Sequence, residues 1–511
     1  MTVSDSLQDD RITRALSLPE DERLDFKRVG NVDKLIKAAV AMANSDGGHI
    51  VAGIDDPKKA TGRDRVYGLE EKPECLGEFS RALATRVNPP LDTASLPENI
   101  RISEIPCTLR TGKPGRIALI HIPRSNTIHS LVEGPTYIRV PGPQDRQITA
   151  AEIVELSLRR GTKSIVDSPV PIDLGLLTTP TWVEYATHRE LTRPLAATLP
   201  NIGLASREDD RWLPKMAAVL LFAEHPGSLL NTKATIRIFH YRGHAIEHTE
   251  HTNLVRPPVT VDGPILHQIR RATQIVLDEI SRDGGVQVTT AGFSVKRAYP
   301  NRVIQEAITN AVLHRDYRIP QDIHIRIFAN RIEVESPGGF PGAVSPENIG
   351  KIGSRPRNLT LAAHLREFPH APNLDAGEGV PAMRETLKRE NLFPPIYTLL
   401  RKPDRECVLL TLRNEARNDD WELVEDYLRT HPDIGNADLR AILNISAANK
   451  PLASRLLSGW VESGLLVIAN PAAGTRLRRY RLATPESSGD IVARLLADPS
   501  CKQSEPSGNP L

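Results

Sequence analysis

Residues Gln305 to Tyr317 read QEAITNAVLHRDY. At about 100° per residue on a helix, Val303, Ala307 and Ala311, together with Ile304, Ile308 and Val312, form one apolar stripe. Glu306, Asn310 and His314 follow one another at steps of four and border that stripe. The spacing therefore predicts a helix that holds a carboxylate, an amide and an imidazole at the rim of a core, half withdrawn from water. Burying such groups costs free energy unless something satisfies them. A divalent metal and a nucleotide would do so. The plain alternative is an amphipathic helix with polar rim residues and glycines in ordinary turns.

Outward from this helix, Asp322 to Phe328 (DIHIRIF) and Arg331 to Glu335 (RIEVE) alternate like strands around the short turn Ala329-Asn330. One glycine turn follows at Ser336-Pro337-Gly338-Gly339 and a second at Gly377-Glu378-Gly379. Helix, hairpin and two glycine turns in this order resemble the GHKL ATPase domain, the Bergerat ATP-binding fold of gyrase, heat-shock chaperones and histidine kinases. More narrowly, NAVLHRDY, ESPGGFP, RPRN and GEGVPAM, spread over Tyr299 to Glu390, resemble the divergent ATPase half of bacterial RecG-related transcriptional regulators and ATP-binding Schlafen-like proteins.

The resemblance implies ATP and Mg²⁺ as cofactors. Asn310 would coordinate Mg²⁺ against the phosphates, and Glu306 would orient or deprotonate the attacking water in ATP hydrolysis. Gly338, Gly339, Gly377 and Gly379 would let backbone N–H groups approach the nucleotide. His314, Arg315 and Asp316 match the narrower family and join the cofactor-binding set, with Arg355, Arg357 and Asn358 as phosphate candidates in a lid segment. Where the GHKL pattern begins its glycine box with an aspartate for the adenine amino group, this chain reads Glu335-Ser336-Pro337.

Upstream, ERLDFK (Glu22 to Lys27), ANSDGG (Ala43 to Gly48) and GIDD (Gly53 to Asp56) frame a helical pattern over Asp33 to Asn44 and a strand over His49 to Ile54. Arg116 to Ile122 and Thr136 to Val140 read as further strands. These motifs resemble the Schlafen AlbA-like domain. Some animal relatives of that domain are metal-dependent RNases with three carboxylates, and the matching positions here are Glu20, Asp25 and Asp56. The other reading of these acids is a solvated cluster around a structural turn. Lys27, with Arg28, Lys34 and Lys37, is a candidate phosphate contact.

Downstream, Trp421 to Arg429, Asn436 to Leu443 and Ala447 to Ser463 read as helices, and Leu465 to Ala469 with Arg476 to Leu482 as two strands. This is the order of a winged helix. Asn449, Lys450 and Arg455 on the third helix, and Arg476, Arg478 and Arg479 on the wing, form a local basic patch suited to nucleic acid. The H-x-x-E-H spelling at His244 to His248 follows a strand-like run, so no zinc helix is expected there.

The 511-residue chain is 40% hydrophobic and 25% charged, with a formal net charge of +2. A nearly balanced charge excludes a uniformly basic surface. Four scattered cysteines suggest neither a zinc site nor a disulfide framework. The run Met216 to Ala223 is far shorter than the roughly 20 residues that span a bilayer. MTVSDSLQDDRITRAL lacks the features of a secretion signal. The expectation is a cytoplasmic, multidomain α+β protein with a Schlafen AlbA-like α+β domain over 1–164 and an α/β connecting segment over 165–288. A GHKL (Bergerat) α/β sandwich over 289–418, a winged helix over 419–484 and a disordered tail over 485–511 follow. Expected partners are DNA, with RNA second, and further copies of the chain, but no membrane. The function read from the whole is an ATP-binding, nucleic-acid-binding regulator of transcription or defence. The alternative is an ATP-gated, metal-dependent nuclease acting on RNA or tRNA in phage defence.

Overall fold

The computed structural model describes residues 12–482, 492 and 496, apart from 14, 92–95, 97–98, 143, 162–163, 248–251, 283–285, 290–291, 296–298, 347, 352, 354–355, 373–378, 415–418, 432, 447–448, 463–464, 471–473 and 475–477. The chain forms two compact units, one from 1–125, 129–148 and 417–511, the other from 126–128 and 149–416.

In the first unit, strand β1 (Leu24–Lys27) leads into helix α1 (Val32–Ala43), whose N-cap Asn31 accepts a hydrogen bond from the Asp33 N–H. Strand β2 (Gly48–Ala52) runs parallel to β1, with Leu24 opposite His49. After α2 (Cys75–Thr85), strands β3 (Arg101–Thr108) and β4 (Pro114–Ile122) complete a four-stranded sheet in the order β1-β2-β4-β3. Side chains alternate across it. Ile50, Ala52, Ala118 and Ile120 pack on one face with Leu35, Ile36 and Phe79 of the two helices. Leu24, Phe26, Val51 and Ile117 pack on the other with Val492 and Leu496. The disordered tail expected over 485–511 is corrected at these two positions, because an apolar sheet surface needs a cover and Val492 and Leu496 supply part of it. A hairpin of β5 (Thr136–Val140) and β6 (Gln144–Ile148) follows. Asn44 of the ANSDGG motif donates to the carbonyls of His129 at 2.7 Å and Tyr137 at 2.9 Å, which ties the end of α1 to β5.

The second unit opens with α3 (Ala150–Arg160), started by a capping box between Thr149 and Glu152. Helix α4 (Met216–Phe222) is the apolar run of the sequence, and Ala217 to Phe222 are buried in the core. Next come β7 (Ile236–His240), β8 (Val259–Val261), α5 (Ile265–Arg282) and α6 (Asn301–His314). They are followed by β9 (Ile323–Ile327), β10 (Arg331–Pro337), α7 (Leu359–Leu365), α8 (Gly379–Arg389), β11 (Ile396–Lys402) and β12 (Arg405–Arg413). The six strands form one sheet, ordered β8-β7-β9-β10-β12-β11. Strands β7 and β9 are parallel, Ile236 opposite Ile323, and the other neighbours are antiparallel. Ile236, Ile325, Val334 and Leu410 from the strands share one core with Leu220, Ile269, Ile304 and Ile308 from the helices.

The expected boundary between a connecting segment (165–288) and a nucleotide domain (289–418) is therefore not a structural one. Strands β7 and β8 and helix α5 belong to the sheet and core of the segment that follows. Parallel pairing across a long crossover leaves no mark in local sequence, which is why the composition shift near 288 misleads.

The C-terminal part of the first unit contains α9 (Asp419–Thr430), α10 (Asn436–Ile442), α11 (Lys450–Glu462) and a two-stranded antiparallel pair, β13 (Leu466–Ile468) and β14 (Tyr480–Leu482). Trp421 and Trp460 meet edge to face, ring centroids 5.2 Å apart. Val424, Leu439, Ala453, Leu457 and Tyr480 are buried with them.

Candidate functional site

Helix α6 places Glu306 and Asn310 at the rim of the core, both half-buried, one turn apart. Asn310 Nδ2 donates to Glu306 Oε1 at 2.9 Å. This leaves the amide oxygen as the atom able to face a cation. Burial pushes the Glu306 carboxyl above its usual range, against the hydrogen bond from Asn310 and the charge of Arg302. A raised carboxyl is a stronger base toward water. Gly379, the first residue of α8, closes on the pair: a Cβ there would stand 1.9 Å from Glu306 Oε1 and 3.7 Å from Asn310 Nδ2. Gly377 lies outside the described residues, as does Arg355.

The rest of the HRDY motif is built into the fold. His314 is the last residue of α6; its Nδ1 is buried with no hydrogen-bond partner among the described residues, and burial with the nearby Arg357 charge pushes its pKa down to about 4. Arg315 is 1% exposed, donates to the Lys233 carbonyl and lies with its guanidinium carbon 5.0 Å from the centre of the Tyr317 ring. Asp316 accepts from Arg318 Nε at 2.9 Å and Nη2 at 2.5 Å. Arg357 donates to the carbonyls of His314 (3.0 Å), Leu158 (3.2 Å), Arg159 and Gly339 (2.6 Å). It thereby caps the C-terminal ends of α3 and α6.

Arg315, Asp316 and Arg357 were expected to contact the cofactor; instead each is engaged inside the protein. Their partners are carbonyls and charges distant in sequence, which no local pattern reveals.

The glycine turn after β10 has the same character. A Cβ at Gly338, where φ is +104°, would stand 2.7 Å from the Asp316 Cβ, and one at Gly339 would stand 2.6 Å from Glu406 Oε2. Both glycines serve close packing here. Glu335 is 2% exposed and held by Lys402 at 2.5 Å and Arg326 at 2.8 Å. Burial alone would raise its carboxyl, but these two cations bring it down to about 2. Ser336 Oγ donates to the Ala311 carbonyl at 2.8 Å. Neither side chain stands ready for an adenine amino group.

The residues where α6 meets α8 are of the kind that would hold a magnesium-bound phosphate chain. An amide oxygen and a carboxylate lie side by side, and a residue without a side chain sits at the approach. Tyr397 on β11 carries a buried hydroxyl with no hydrogen-bond partner among the described residues. Tyr397 sits in the run IYTLL, where nothing local distinguishes it from a packing aromatic.

In the first unit, the Glu20 Oε1 accepts from the Phe26 N–H at 3.0 Å. Burial, with the neighbouring Asp25 adding, pushes Glu20 up to about 7 against that hydrogen bond and the charge of Lys27. Asp25 is 1% exposed and bridges Lys27 and Arg139, the latter at 3.1 Å. Asp56 accepts from the Lys58 N–H at 2.8 Å in an exposed turn. Among the described residues no three acids, histidines or cysteines are grouped to hold a metal ion. The expected Glu20, Asp25 and Asp56 triad is thus only partly assembled: an arginine occupies the place beside Asp25 that a cation would take. Lys27 is correspondingly spent on Asp25.

In the C-terminal part, Asn449, Lys450 and Arg455 are exposed at the start and along the outer face of α11. Arg479 is paired with Asp433 and Asp438, each at 2.7 Å, so it is not a free phosphate contact. Arg478 is half-buried, and Arg476 lies outside the described residues. Residues His244 to Glu247 are exposed and non-helical, with a bend at His244 and Ala245. Among the described residues no helix is long and apolar enough to cross a membrane.

The fold and site define a multidomain α+β protein with an ATPase-like region. Residues 20–149 match the family model described as Schlafen, AlbA_2, and residues 321–404 match the model described as the C-terminal region of an ATP-dependent DNA helicase recG. The chain thus carries a Schlafen AlbA_2 domain and a RecG-C-terminal-like ATPase domain. Helix α6 lies just ahead of the second match. No curated protein matches the chain. Among solved structures it is similar to the DIP2311 protein from Corynebacterium diphtheriae, at 16% identity over 93% of this chain and 98% of that one, with a TM-score of 0.38.

Proposed function

We propose that this protein is an ATP-binding, nucleic-acid-binding regulator, of transcription or of defence, in which nucleotide held between α6 and α8 controls modules that bind DNA. The observation that supports it most is the half-buried Glu306–Asn310 pair with Gly379 set against it. In this reading the second unit works as a GHKL-type α/β sandwich, and the C-terminal three helices with β13 and β14 work as a winged helix.

Asn310 would hold Mg²⁺ through its amide oxygen, while its N–H₂ keeps the Glu306 carboxylate in position. Glu306, with its proton affinity raised by burial, orients or accepts a proton from a water at the end of the phosphate chain. When bound, Mg²⁺ supplies positive charge at the phosphate oxygens. Because Glu335 and Ser336 are engaged elsewhere, recognition rests on the phosphates more than on the base. Closure around nucleotide and a change in DNA affinity then form one coupled equilibrium. We place the protein in the cytoplasm, with DNA as the first partner, RNA as the second, and a homo-oligomer as the working form.

Calorimetric titration of Mg·ATP into the wild type and Asn310→Ala, with phosphate release measured on the same samples, tests the reading. Binding to the wild type that falls by about tenfold or more in the variant upholds it. Wild-type protein that does not bind Mg·ATP removes it.

The nuclease alternative has one observation in its favour, the Glu20 carboxyl raised beside Asp25. RNA or tRNA cleavage dependent on Mn²⁺ and lost in Asp25→Ala and Asp56→Ala would establish it. Intact RNA with all three proteins would dismiss it.

A further inference from the structure

The two faces of the six-stranded sheet differ in kind. Residues opposite one another in a ladder point the same way, and neighbours along a strand alternate. The row Ile238, Ile325, Val334, Leu410 and Tyr397 lies on the side of the helices and is wholly within their core. The next row, Thr260, Arg237, His324, Glu335, Leu409 and Thr398, crosses all six strands on the opposite side. Phe239, Arg326, Glu333, Thr411 and Ile396 form the row beside it. The apolar residues of this second face, Phe239, Leu409 and Ile396, are half-buried and take no part in the core under the helices.

Charge and rings are concentrated on this second face. Arg326 holds Glu335 at 2.8 Å, Lys402 holds the same carboxylate, and Arg331 holds Glu333 at 2.7 Å. Both acids are thus neutralised, while Arg237 has no ion pair or hydrogen bond among the described residues. The guanidinium carbon of Arg237 instead lies 5.2 Å from the centre of the Phe239 ring. Phe239 meets His324 edge to face at 5.4 Å, and Tyr241 and Phe328 continue the line, each ring nearly parallel to the last at 6.3 and 5.3 Å. Tyr241 and Phe328 are buried behind, whereas Phe239 and His324 are half-buried. Aromatic residues make up only 4% of the chain, so such a line is not an average surface. A face meant only for water needs no rings, and one meant for an apolar partner would not carry a spare cation. Rings beside a surplus of arginine suit a strand of unpaired bases, which offers flat faces to stack on and phosphates between them. In a duplex those base faces are already covered by their neighbours.

We propose that this second face of the sheet binds single-stranded nucleic acid, with Phe239 stacking on a base, Arg237 meeting a phosphate, and Arg326 and Lys402 offsetting the two carboxylates beneath. It rests on the reading of the protein as one that binds nucleic acid, and adds to the C-terminal helices a surface of different preference. It does not involve the α6–α8 site, which lies with the helices on the other side of the sheet.

The test is fluorescence anisotropy of the full chain with labelled oligo(dT), oligo(U) and a DNA duplex, each about 16 nucleotides long, for the wild type, Arg237→Glu, Phe239→Leu and the pair Lys450→Glu with Arg455→Glu. Leucine keeps the apolar bulk at 239 and removes only the ring, and melting curves verify that each variant folds. Arg237→Glu and Phe239→Leu should each weaken single-strand binding by about fivefold or more while duplex affinity stays within about twofold. Arg237→Glu should also lower the slope of log affinity against log salt by about 0.7 for the single strands. The Lys450 and Arg455 pair should show the reverse split. Stronger binding of oligo(dT) or of oligo(U) would tell DNA from RNA, and either supports the proposal. Single-strand binding unchanged in both variants, with wild-type melting, would overturn it. A wild type that binds duplex but neither single strand would overturn it and leave the nucleic-acid reading standing, whereas one that binds none of the three would remove both. Sedimentation of the same samples covers the other occupant: a dimer that Arg237→Glu dissociates, without single-strand binding, would assign the face to a second copy of the chain and overturn the proposal.

Discussion

The Cα of Gly379 approaches Glu306 so closely that a Cβ on it would stand 1.9 Å from the carboxylate oxygen Oε1. Glu306 is a flexible side chain, so Gly379→Ala would be accommodated by turning that carboxylate away from Asn310. The expected outcome is a folded protein, with a change in stability under about 1 kcal/mol, whose phosphate release falls by about tenfold or more. Circular dichroism melting and a phosphate-release assay on the same preparation check it. Unchanged turnover in the alanine variant would mean that the position of Glu306 is not critical.

The stability of the second unit should fall on mild acidification. His314 and His364 are each held near 4 by burial, with the charges of Arg357 and Arg189 adding. Both are neutral in the folded chain, whereas the unfolded chain protonates them near the ordinary 6.5. Their contribution is therefore complete above about 6.5 and is lost as pH falls from there toward 4, by about 3 kcal/mol for each ring. His314→Gln should flatten the dependence of the unfolding midpoint on pH between 7 and about 4.5. A variant that keeps the full slope would assign the effect to other groups.

Glu335 offers a second acid-sensitive element with a different window. Its folded carboxyl sits near 2 against an ordinary 4.5, so its stabilisation is present above 4.5 and is lost as pH falls toward 2. Glu335→Gln leaves Arg326 and Lys402 without their shared partner and should cost about 2 to 3 kcal/mol, the partial exposure of Lys402 moderating the loss. Nucleotide binding should stay within about twofold of the wild type, and GTP should compete with ATP within about tenfold. Strong selectivity for ATP, lost in the variant, would instead give Glu335 the role of the adenine ligand.

On the C-terminal helices, charge reversal at Lys450 and Arg455 should weaken DNA binding while leaving the melting curve in place, since both side chains are exposed. Each lost phosphate contact should lower the slope of log affinity against log salt by about 0.9. Arg479→Ala should act differently, destabilising the three-helix part by removing the partner of Asp433 and Asp438. DNA affinity indifferent to Lys450 and Arg455 would move the interface off α11.

The helix periodicity around Glu306 translates directly into structure: the apolar stripe is buried and its polar border is half-buried, because a 3.6-residue repeat fixes which residues share a face. The hairpin of β9 and β10 and the strand at Thr136 to Val140 are equally legible from alternation. What the sequence does not reveal is set by distant partners. Arg357 looks like a phosphate ligand until the carbonyls of Leu158, Arg159, His314 and Gly339 are seen around it. Tyr397 looks like a packing residue, and only the structure shows that its hydroxyl is buried with no hydrogen-bond partner among the described residues. Val492 and Leu496 belong to the short apolar run IVARLLA, which the polar SSGD and SEPSGNP around it mask when the tail is read by composition.

The parallel pairing of β7 with β9 has a practical bearing on how the second unit can be isolated. A fragment begun near residue 289, where the composition changes, would lack β7, β8 and α5. It would present the bare edge of β9, Ile323–Ile327, together with one uncovered end of the core. An open strand of alternating isoleucines recruits other strands, so such a fragment should precipitate or associate. A fragment spanning 149–416 keeps every strand of the sheet paired as in the whole chain.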